Sequence, residues 1–273
     1  MQNFSASPRE MIASLWRNKR LISNLVRREV VGRYKGSMLG VFWSLITPVF
    51  MLAVYTFVFS FVFRARWGDG GESSRTEFAL VLFAGLIVFN FFAECINRAP
   101  SLVLANMNYV KKVVFPLEVL PWVLMGSALF HFAVSFCVWL MAYMLIVGVP
   151  HWTLILSPII ILPFIMFVMG ISWALASLGV YLRDVGQIIG SVVQVLMFMT
   201  PIFYPASALP ERFRVLLLLN PITPPIEMMR GVMYWGQLPS LELWLLINVV
   251  SVVVAVMGFA WFQRTRKGFA DVL

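Results

Sequence analysis

Ionisable residues inside long apolar stretches are the first candidates for chemistry in this chain, and they are few. Glu94 and Arg98 stand four residues apart at the end of one stretch, and His131 lies within the next. Ionisable groups in such surroundings are functional candidates by default. A spacing of four, however, places Glu94 and Arg98 on one helix face, where they can satisfy each other. We therefore expect an ion pair there rather than a catalytic site.

The sequence contains none of the motifs that mark common enzymes. It has no GxxxxGK[ST] phosphate loop, hence no recognisable ATP site, and no GxSxG or HExxH motif. His131 and His151 lack the spacing of metal ligands. An enzyme acting on lipid-linked sugars would need converging carboxylates or a metal-binding DxD motif, and neither is visible. We expect no catalytic residue, metal or cofactor in this chain.

Six long apolar stretches must position these residues, at 38–63, 78–98, 119–147, 154–180, 187–204 and 240–262. About 20 apolar residues in a helix cross a bilayer core of about 30 Å, and lipid excludes strands with unpaired edges. A composition of 61% hydrophobic and 12% charged residues excludes a soluble domain. The sequence predicts an all-α polytopic membrane protein with six transmembrane helices, the fifth reaching full length only by continuing into the next segment.

We assign the whole chain, 1–273, to one transmembrane domain with both termini in the cytoplasm. Residues 1–36 form a cytoplasmic interface segment, 38–262 carry the spans, and 263–273 form a tail. In this orientation 15 of the 21 lysines and arginines lie in cytoplasmic segments, as the positive-inside rule requires. The net charge of +9 therefore indicates topology and attraction to anionic membrane lipids, not a nucleic-acid partner.

The N-terminal segment has the pattern of an amphipathic interface helix. Ser7 is predicted as its N-cap, Pro8 lies in its first turn and Glu10 closes a capping box. Apolar residues then recur at helical spacing with arginine and lysine between them, which favours a helix lying in the membrane interface. Two interpretations remain open: a membrane-surface anchor, or a mechanical collar around the first span.

Small residues predict close helix packing at two places. Gly32, Gly36, Gly40 and Ser44 recur every four residues, and Gly186 and Gly190 begin the fifth span. Such faces let helix backbones approach in lipid. We expect the first and fifth spans to pack tightly, within one chain or across a dimer. Ordinary small-residue packing without a mechanistic role is the alternative.

The polar joints and one proline-rich segment are candidates for contacts and for a pathway. The joint at 108–118 mixes apolar and basic residues, which suits either lipid headgroups or a cytosolic partner. Arg183 and Asp184 either cap helix ends or contact a partner. Between Thr200 and Pro239, seven prolines surround two short apolar patterns, at 211–219 and 226–235. Each is too short to span, so we predict a re-entrant pair at the outer mouth. Glu227 and Arg230 are spaced for an i, i+3 pair.

Four segments together resemble the membrane subunit of type-2 ABC exporters of O-antigen, capsule and teichoic-acid polysaccharides. They are Arg27–Gly40 with Trp43 and Pro48, Asn108–Glu118, Tyr181–Asp184, and Thr200–Pro205 with Asn220–Pro221; Arg264–Asp271 is similar too. The resemblance covers nearly the whole chain. It implies a homodimer in the bacterial inner membrane, working with two copies of a cytosolic P-loop ATPase that binds ATP and Mg²⁺. The cargo would be a glycan on a polyprenyl diphosphate lipid.

The resemblance also implies roles for groups of residues. Those expected to couple to the ATPase are Asn108, Tyr109, Val110, Lys111, Lys112, Phe115, Arg183 and Asp184. Those expected at the outer gate are Pro205, Pro210, Pro221, Glu227 and Arg230. Those expected to recruit the lipid diphosphate, or else only to follow the positive-inside rule, are Arg27, Arg28, Arg33, Tyr34 and Lys35.

Aromatic residues on the first and fifth spans are the candidates for lining a glycan passage. Sugar rings bind to aromatic faces through weak contacts that can repeat along a polymer. The candidates are Phe50, Tyr55, Phe57, Phe59, Phe198, Phe203 and Tyr204. The alternative for each ring is that it faces lipid or protein. Three other functions remain as alternatives: export of a smaller lipooligosaccharide or drug-like molecule, a membrane-embedded lipid-sugar enzyme, and a self-powered channel or carrier.

Overall fold

The computed structural model describes residues 5–62, 75–111, 115–210, 212, 217 and 220–273, and within these residues every regular element is helical. The α-helices are α1 (Pro8–Arg17), α2 (Lys19–Arg33), α3 (Trp43–Tyr55), α4 (Arg75–Arg98), α5 (Met107–Lys111), α6 (Leu120–Ile146), α7 (Ser157–Tyr181), α8 (Val185–Met199), α9 (Thr223–Arg230), α10 (Leu241–Thr265) and α11 (Phe269–Val272). The π-helical segments Thr56–Val62 and Gly231–Trp235 continue α3 and α9. Short 3₁₀ turns cover Gly40–Phe42, Ala99–Ser101, Leu104–Asn106, Leu117–Val119, Trp152–Leu156, Ala206–Ala208 and Arg266–Gly268.

The predicted start of the first helix is confirmed, and its capping box is half formed. The Ser7 hydroxyl accepts a hydrogen bond from the Glu10 backbone N–H at 3.2 Å, and Pro8 occupies the first turn. The Glu10 carboxylate instead accepts from Arg17 at 2.6 Å. The chain breaks between α1 and α2 at Asn18, so the interface segment consists of two helices rather than one.

Within the described residues, five helical segments are long and apolar enough to cross a membrane, so the chain is an integral membrane protein. They are Gly40–Phe59, Glu77–Ser101, Leu117–Ile146, Trp152–Tyr181 and Leu241–Val272. The sixth apolar helix, α8, has only 15 residues. All six overlap the predicted stretches, although the last, Leu241–Val272, runs beyond the predicted end at 262. That α8 crosses the membrane as a sixth span stays a prediction.

The spans differ greatly in how much of their surface the chain itself covers. The helix α4 is central. In its most apolar stretch 83% of the residues are buried, and the helix packs against α3, α6, α7, α8 and α9. The span containing α3 is peripheral, because only 6% of the residues in its apolar stretch are buried within the chain. A peripheral apolar helix must be covered by lipid or by another chain.

The N-terminal helix α1 and the C-terminal helix α11 lie at one end of the bundle, which we call the terminal end. Glu118, just before α6, contacts Ser14 of α1 and Arg266 beyond α10. The helix α11 packs against α5 and α7 at the same end. The opposite end, which we call the distal end, contains α9, whose Arg230 reaches Val81 near the start of α4.

The prediction that Gly32, Gly36, Gly40 and Ser44 share one helix face is wrong. The helix α2 ends at Arg33, and Gly36 and Gly40 have positive φ angles of 90° and 51°, which break the helix. Beyond the local backbone, a Cβ atom at Gly32, Gly36, Gly40 or Gly190 would meet no atom of the described part of the chain within 4 Å. At Gly186 it would lie 3.9 Å from Pro100. Tight packing at these glycines within one chain is therefore not observed, whereas packing across a dimer stays a prediction.

Glycine-mediated close approach occurs at other positions. A Cβ atom at Gly258 of α10 would lie 2.0 Å from the carbonyl oxygen of Gly170 in α7, and one at Gly170 would lie 2.4 Å from that of Val254. The backbones of α7 and α10 therefore touch at this crossing. Gly179 makes a similar approach to Pro100.

Candidate functional site

A network of charged side chains lies where α2, α4 and α6 meet. The Glu94 carboxylate is 2.7 Å from Arg33 Nη1, 3.0 Å from His131 Nδ1 and 3.3 Å from Arg98 Nη1. Arg98 also pairs with Glu29 of α2. The predicted Glu94–Arg98 pair is thus present, but as one part of a larger network. The position of Glu94 within an apolar stretch was the signal for this site. Its partner Arg33, and Glu29, which pairs with Arg98, lie on a distant segment of the chain.

Tyr34 completes this network at the end of α2. Its hydroxyl lies 3.3 Å from His131 Nε2, and the two rings meet edge to face at 6.3 Å. Burial raises the pKa of Tyr34 above its usual value. At neutral pH the hydroxyl is therefore uncharged and available as a donor.

A cavity of about 370 Å³ opens beside the network, between α3, α4 and α6. Its polar lining comprises Arg33, Tyr34, Ser44, Thr47, Asn90, Glu94, His131 and Ser135. Its apolar lining comprises Pro48, Met51, Phe83 and Ile87. Sequence reasoning assigned no role to Asn90 or Ser135, although Asn90 stands as a polar amide between apolar neighbours. A cavity of this size with a few convergent polar groups is typical of a small-ligand site.

The predicted lipid-diphosphate residues separate into two groups. Arg28 donates a hydrogen bond to the Tyr109 hydroxyl at 2.7 Å, and Arg33 and Tyr34 belong to the Glu94 network. Arg27 and Lys35 are exposed and have no polar partner among the described residues. Arg27 and Lys35 are therefore the ones whose charge is available to a lipid headgroup.

The predicted coupling residues gather at the terminal end. The ring of Tyr109 stacks on that of Phe115, with centroids 4.4 Å apart and planes 11° apart. Asn108, Arg183 and Asp184 are exposed, and Val110 is half-buried. The side chain of Lys111 and all of Lys112 lie outside the described residues.

Arg183 and Asp184 do not serve as caps through their side chains. Asp184 occupies the N-cap position of α8 without a side-chain hydrogen bond. Neither residue has an ion pair or side-chain hydrogen bond within the described part of the chain. Both are therefore available to a partner.

Glu118 connects the coupling segment to three other elements. Its carboxylate accepts from Arg266 Nη1 at 2.5 Å and from the Ser14 hydroxyl at 3.3 Å, while its carbonyl accepts from Trp173 Nε1 at 3.3 Å. Arg266 also donates to the Phe115 carbonyl at 3.0 Å. The sequence offered no local signal for this pairing, because the two residues are 148 positions apart.

Five of the seven candidate passage aromatics form one cluster at the distal end. The ring centroid of Phe203 lies 6.1 Å from those of Phe59 and Phe198, and the ring centroid of Phe59 lies 6.5 Å from that of Tyr55. The Tyr204 hydroxyl donates to the Phe198 carbonyl at 3.1 Å. The extension of α3 and the end of α8 thus meet through aromatic rings rather than through glycines. Phe50 and Phe57 are 63% and 62% exposed.

Arg230 organises the distal end. The predicted pair with Glu227 is confirmed at 2.8 Å. Arg230 is fully buried and also donates to the carbonyls of Val81, Pro201 and Ile202 at 3.0, 2.5 and 2.9 Å. Carbonyls beyond the end of α8 lack helical partners, so this guanidinium satisfies them. Gly85 makes the room, because a Cβ there would lie 2.5 Å from Arg230 Nη2.

The remaining gate prediction divides between the two short helices. The second pattern forms α9 and its π-helical extension, which pack against α4 and α7. The first pattern, at 211–219, lies outside the described residues apart from Arg212 and Leu217. Pro210 and Pro221 are exposed, and Pro205 is half-buried.

Comparison with known proteins gives a consistent set of similarities. The family model described as "ABC-2 type transporter" matches residues 20–234. The O-antigen export system permease protein RfbA of Myxococcus xanthus is 27% identical over 263 residues, covering 96% of this chain and 98% of the relative. The protein of the same name from Klebsiella pneumoniae is 26% identical, covering 93% and 95%. The polysialic acid transport protein KpsM of Escherichia coli is 23% identical, covering 90% and 93%.

Proposed function

Because this chain belongs to the ABC-2 type transporter family, we propose that it is the transmembrane subunit of an ATP-driven polysaccharide exporter. Its cargo is a glycan of O-antigen or capsule type carried on a polyprenyl diphosphate lipid. Export runs from the cytoplasm across the bacterial inner membrane. The observation that carries the proposal is the near-complete coverage by relatives named for polysaccharide export, 96% of this chain in the first case.

The distribution of side chains agrees with a glycan cargo. The cavity beside Glu94 presents amide and hydroxyl groups, which exchange hydrogen bonds with sugar hydroxyls. The cluster around Phe203 presents aromatic rings at the distal end, where weak contacts suit a sliding polymer. A small apolar cargo would need neither feature.

ATP hydrolysis takes place in a separate P-loop subunit, present in two copies, which binds ATP and Mg²⁺. It docks at the terminal end, on the coupling segment around Tyr109 and on the joint containing Arg183 and Asp184. Two observations support this placement: the exposed charges of that joint are without partners in the described chain, and basic residues concentrate at this end. The terminal end and both termini are then cytoplasmic.

The working unit is a homodimer with six spans per chain. The helix α8 crosses as the fifth span by continuing into the proline-rich segment, and α9 is one of two re-entrant gate helices. The exposed faces of α3 and α8 carry large apolar residues, including Phe50 and Phe198. A second copy covering these faces would enclose a passage between the two chains.

Depletion of this chain in its host tests the proposal. The measurement is the amount of surface glycan, with parallel extraction of lipid-linked intermediates from the membrane. We expect surface polymer to disappear while lipid-linked glycan accumulates on the cytoplasmic side. Unchanged surface glycan without any accumulating intermediate would rule out polysaccharide export and favour another cargo.

A further inference from the structure

The cavity between α3, α4 and α6 contains an amide that the fold itself does not use. Asn90 is exposed, although its neighbours Phe89 and Phe91 are each 2% exposed and α4 is the most enclosed span. The Asn90 side chain has no hydrogen-bond partner among the described residues. Asn90 lines the cavity, and an amide on a membrane span needs a polar partner, so its position points to a polar ligand in the cavity.

A second polar side chain of the cavity, on α6, is also unused by the fold. Ser135 of α6 lines the same cavity and likewise has no hydrogen-bond partner within the described chain. Thr47 of α3 adds a second hydroxyl. Three helices therefore present uncharged groups that both donate and accept hydrogen bonds.

The charged groups of the cavity are balanced against each other. Arg33 lies 2.7 Å from Glu94, so its charge is already compensated. A phosphate or diphosphate entering here would meet the Glu94 carboxylate, and like charges repel strongly away from water. An uncharged ligand avoids this cost.

The rest of the lining suits a ring with apolar faces. Met51 and Pro48 of α3 and Phe83 of α4 form the apolar part of the wall. A sugar ring has hydroxyls around its edge and C–H groups on its faces, which matches this division. The volume of about 370 Å³ is at the lower end of the range for ligand sites.

We propose that this cavity is a binding site for an uncharged saccharide unit of the cargo, held through its hydroxyls by Asn90 and Ser135. The inference rests on the proposed function and deepens it, because it assigns the glycan rather than the lipid diphosphate to this site. The diphosphate then contacts other basic residues, such as Arg27 and Lys35.

The test uses the full chain with its ATPase partner, purified and reconstituted in nanodiscs. The probe is the set of short oligosaccharides released by mild acid from the host's own surface glycan, and the rival probe is inorganic pyrophosphate. Affinity is measured by calorimetric titration for the unaltered protein, Asn90→Ala and Ser135→Ala. The matched control is Asn24→Ala, an exposed asparagine on α2 outside the cavity.

We expect Asn90→Ala to weaken oligosaccharide binding about tenfold, as loss of a ligand hydrogen bond does. Ser135→Ala should weaken it less, and Asn24→Ala should not change it. If Asn90→Ala yields too little protein, Ser135→Ala decides. Size-exclusion chromatography must show the same oligomer for all variants, since loss of oligomer in Asn90→Ala would make Asn90 an interface residue instead.

Three results would overturn the inference. The first is equal oligosaccharide affinity for the unaltered protein and both cavity variants. The second is pyrophosphate binding that depends on Asn90, which would make this a phosphate site. The third is unchanged surface glycan on depletion, which removes the proposed function and this inference with it. Lost surface glycan on depletion together with normal binding by the cavity variants would remove only the inference.

Discussion

The contact between α7 and α10 and the outward faces of α3 and α8 use small residues in opposite ways. At the first, Gly170 and Gly258 bring two backbones together so closely that no side chain fits between them. At the second, Gly190 faces open space, and the span containing α3 is only 6% buried. The first arrangement fixes one geometry within the chain, whereas the second leaves a surface for lipid or another molecule.

This difference separates the scaffold from the moving parts of an exporter. A backbone contact without intervening side chains has no alternative packing of similar energy, so α7 and α10 must move together. The π-helical extension of α3 and the segment that follows α8 contact each other through aromatic rings, Phe59 on one side and Phe203 on the other. We therefore expect rearrangement during transport to involve α3 and α8 rather than the α7–α10 pair.

Gly258→Leu should have the largest effect, because it disrupts the backbone contact between α7 and α10. Its side chain would collide with the Gly170 backbone, which lies 2.0 Å from the Cβ position and has no side chain to move aside. Overpacking of ordinary cores costs about 1–3 kcal/mol, and a backbone collision costs more. We expect little monodisperse protein by size-exclusion chromatography. Val253→Leu, on an exposed part of α10, is the control. Normal yield of Gly258→Leu would contradict the rigid contact.

Arg230→Met should come next, because it removes the polar support of the distal end. The carbonyls of Pro201 and Ile202, which lie beyond the end of α8, would lose this buried donor, and each buried acceptor left unsatisfied costs about 1–3 kcal/mol. The carbonyl of Val81 would lose its contact with Arg230 but keep its place in the helix α4. Thermal unfolding in detergent should show a large drop in Tm. Arg27→Met, which removes an exposed arginine, should leave Tm unchanged. Equal Tm values for the two variants would mean that Arg230 does not hold this end together.

Glu118→Gln should have a smaller effect on stability and a specific effect on coupling. It breaks a pair with Arg266 in which both side chains are largely buried, a change that typically costs about 3 kcal/mol. Since Arg266 also donates to the Phe115 carbonyl, the coupling segment should lose its position. We expect ATPase activity of the complex to persist while surface glycan falls. Glu10→Gln, at an exposed pair on α1, should change neither, and normal export by Glu118→Gln would remove this pair from coupling.

The elements that could be predicted from sequence are those set by local chemistry. Hydrophobic length alone locates the spans, and spacing along one helix predicts the pairs Glu94–Arg98 and Glu227–Arg230. The network around Glu94 could not be predicted, because Arg33 and His131 come from other helices. The same holds for the carbonyls that Arg230 satisfies, which belong to segments far along the chain.

The glycine prediction failed for a definable reason. The prediction assumed one continuous helix from Gly32 to Ser44. The helix α2 instead ends at Arg33, and Gly36 has a positive φ angle. Gly170 and Ala174 have the same spacing within a continuous apolar helix, α7. Small residues four apart are informative only where the helix between them is continuous.

Gly190→Leu gives the smallest expected change in stability and the sharpest test of the open face. Apart from the backbone of its own helix, no atom of the described residues lies within 4 Å of the Cβ position, so the Tm of the variant in detergent should match that of the unaltered protein. If α8 packs against a second copy, the added side chain separates the two chains and surface glycan falls while the protein still inserts. Gly36→Leu cannot replace it, because φ of 90° strains any other residue there by about 1–2 kcal/mol. Normal export and normal dimerisation in Gly190→Leu would show that this face meets lipid alone, and the passage would then have to lie elsewhere in the bundle.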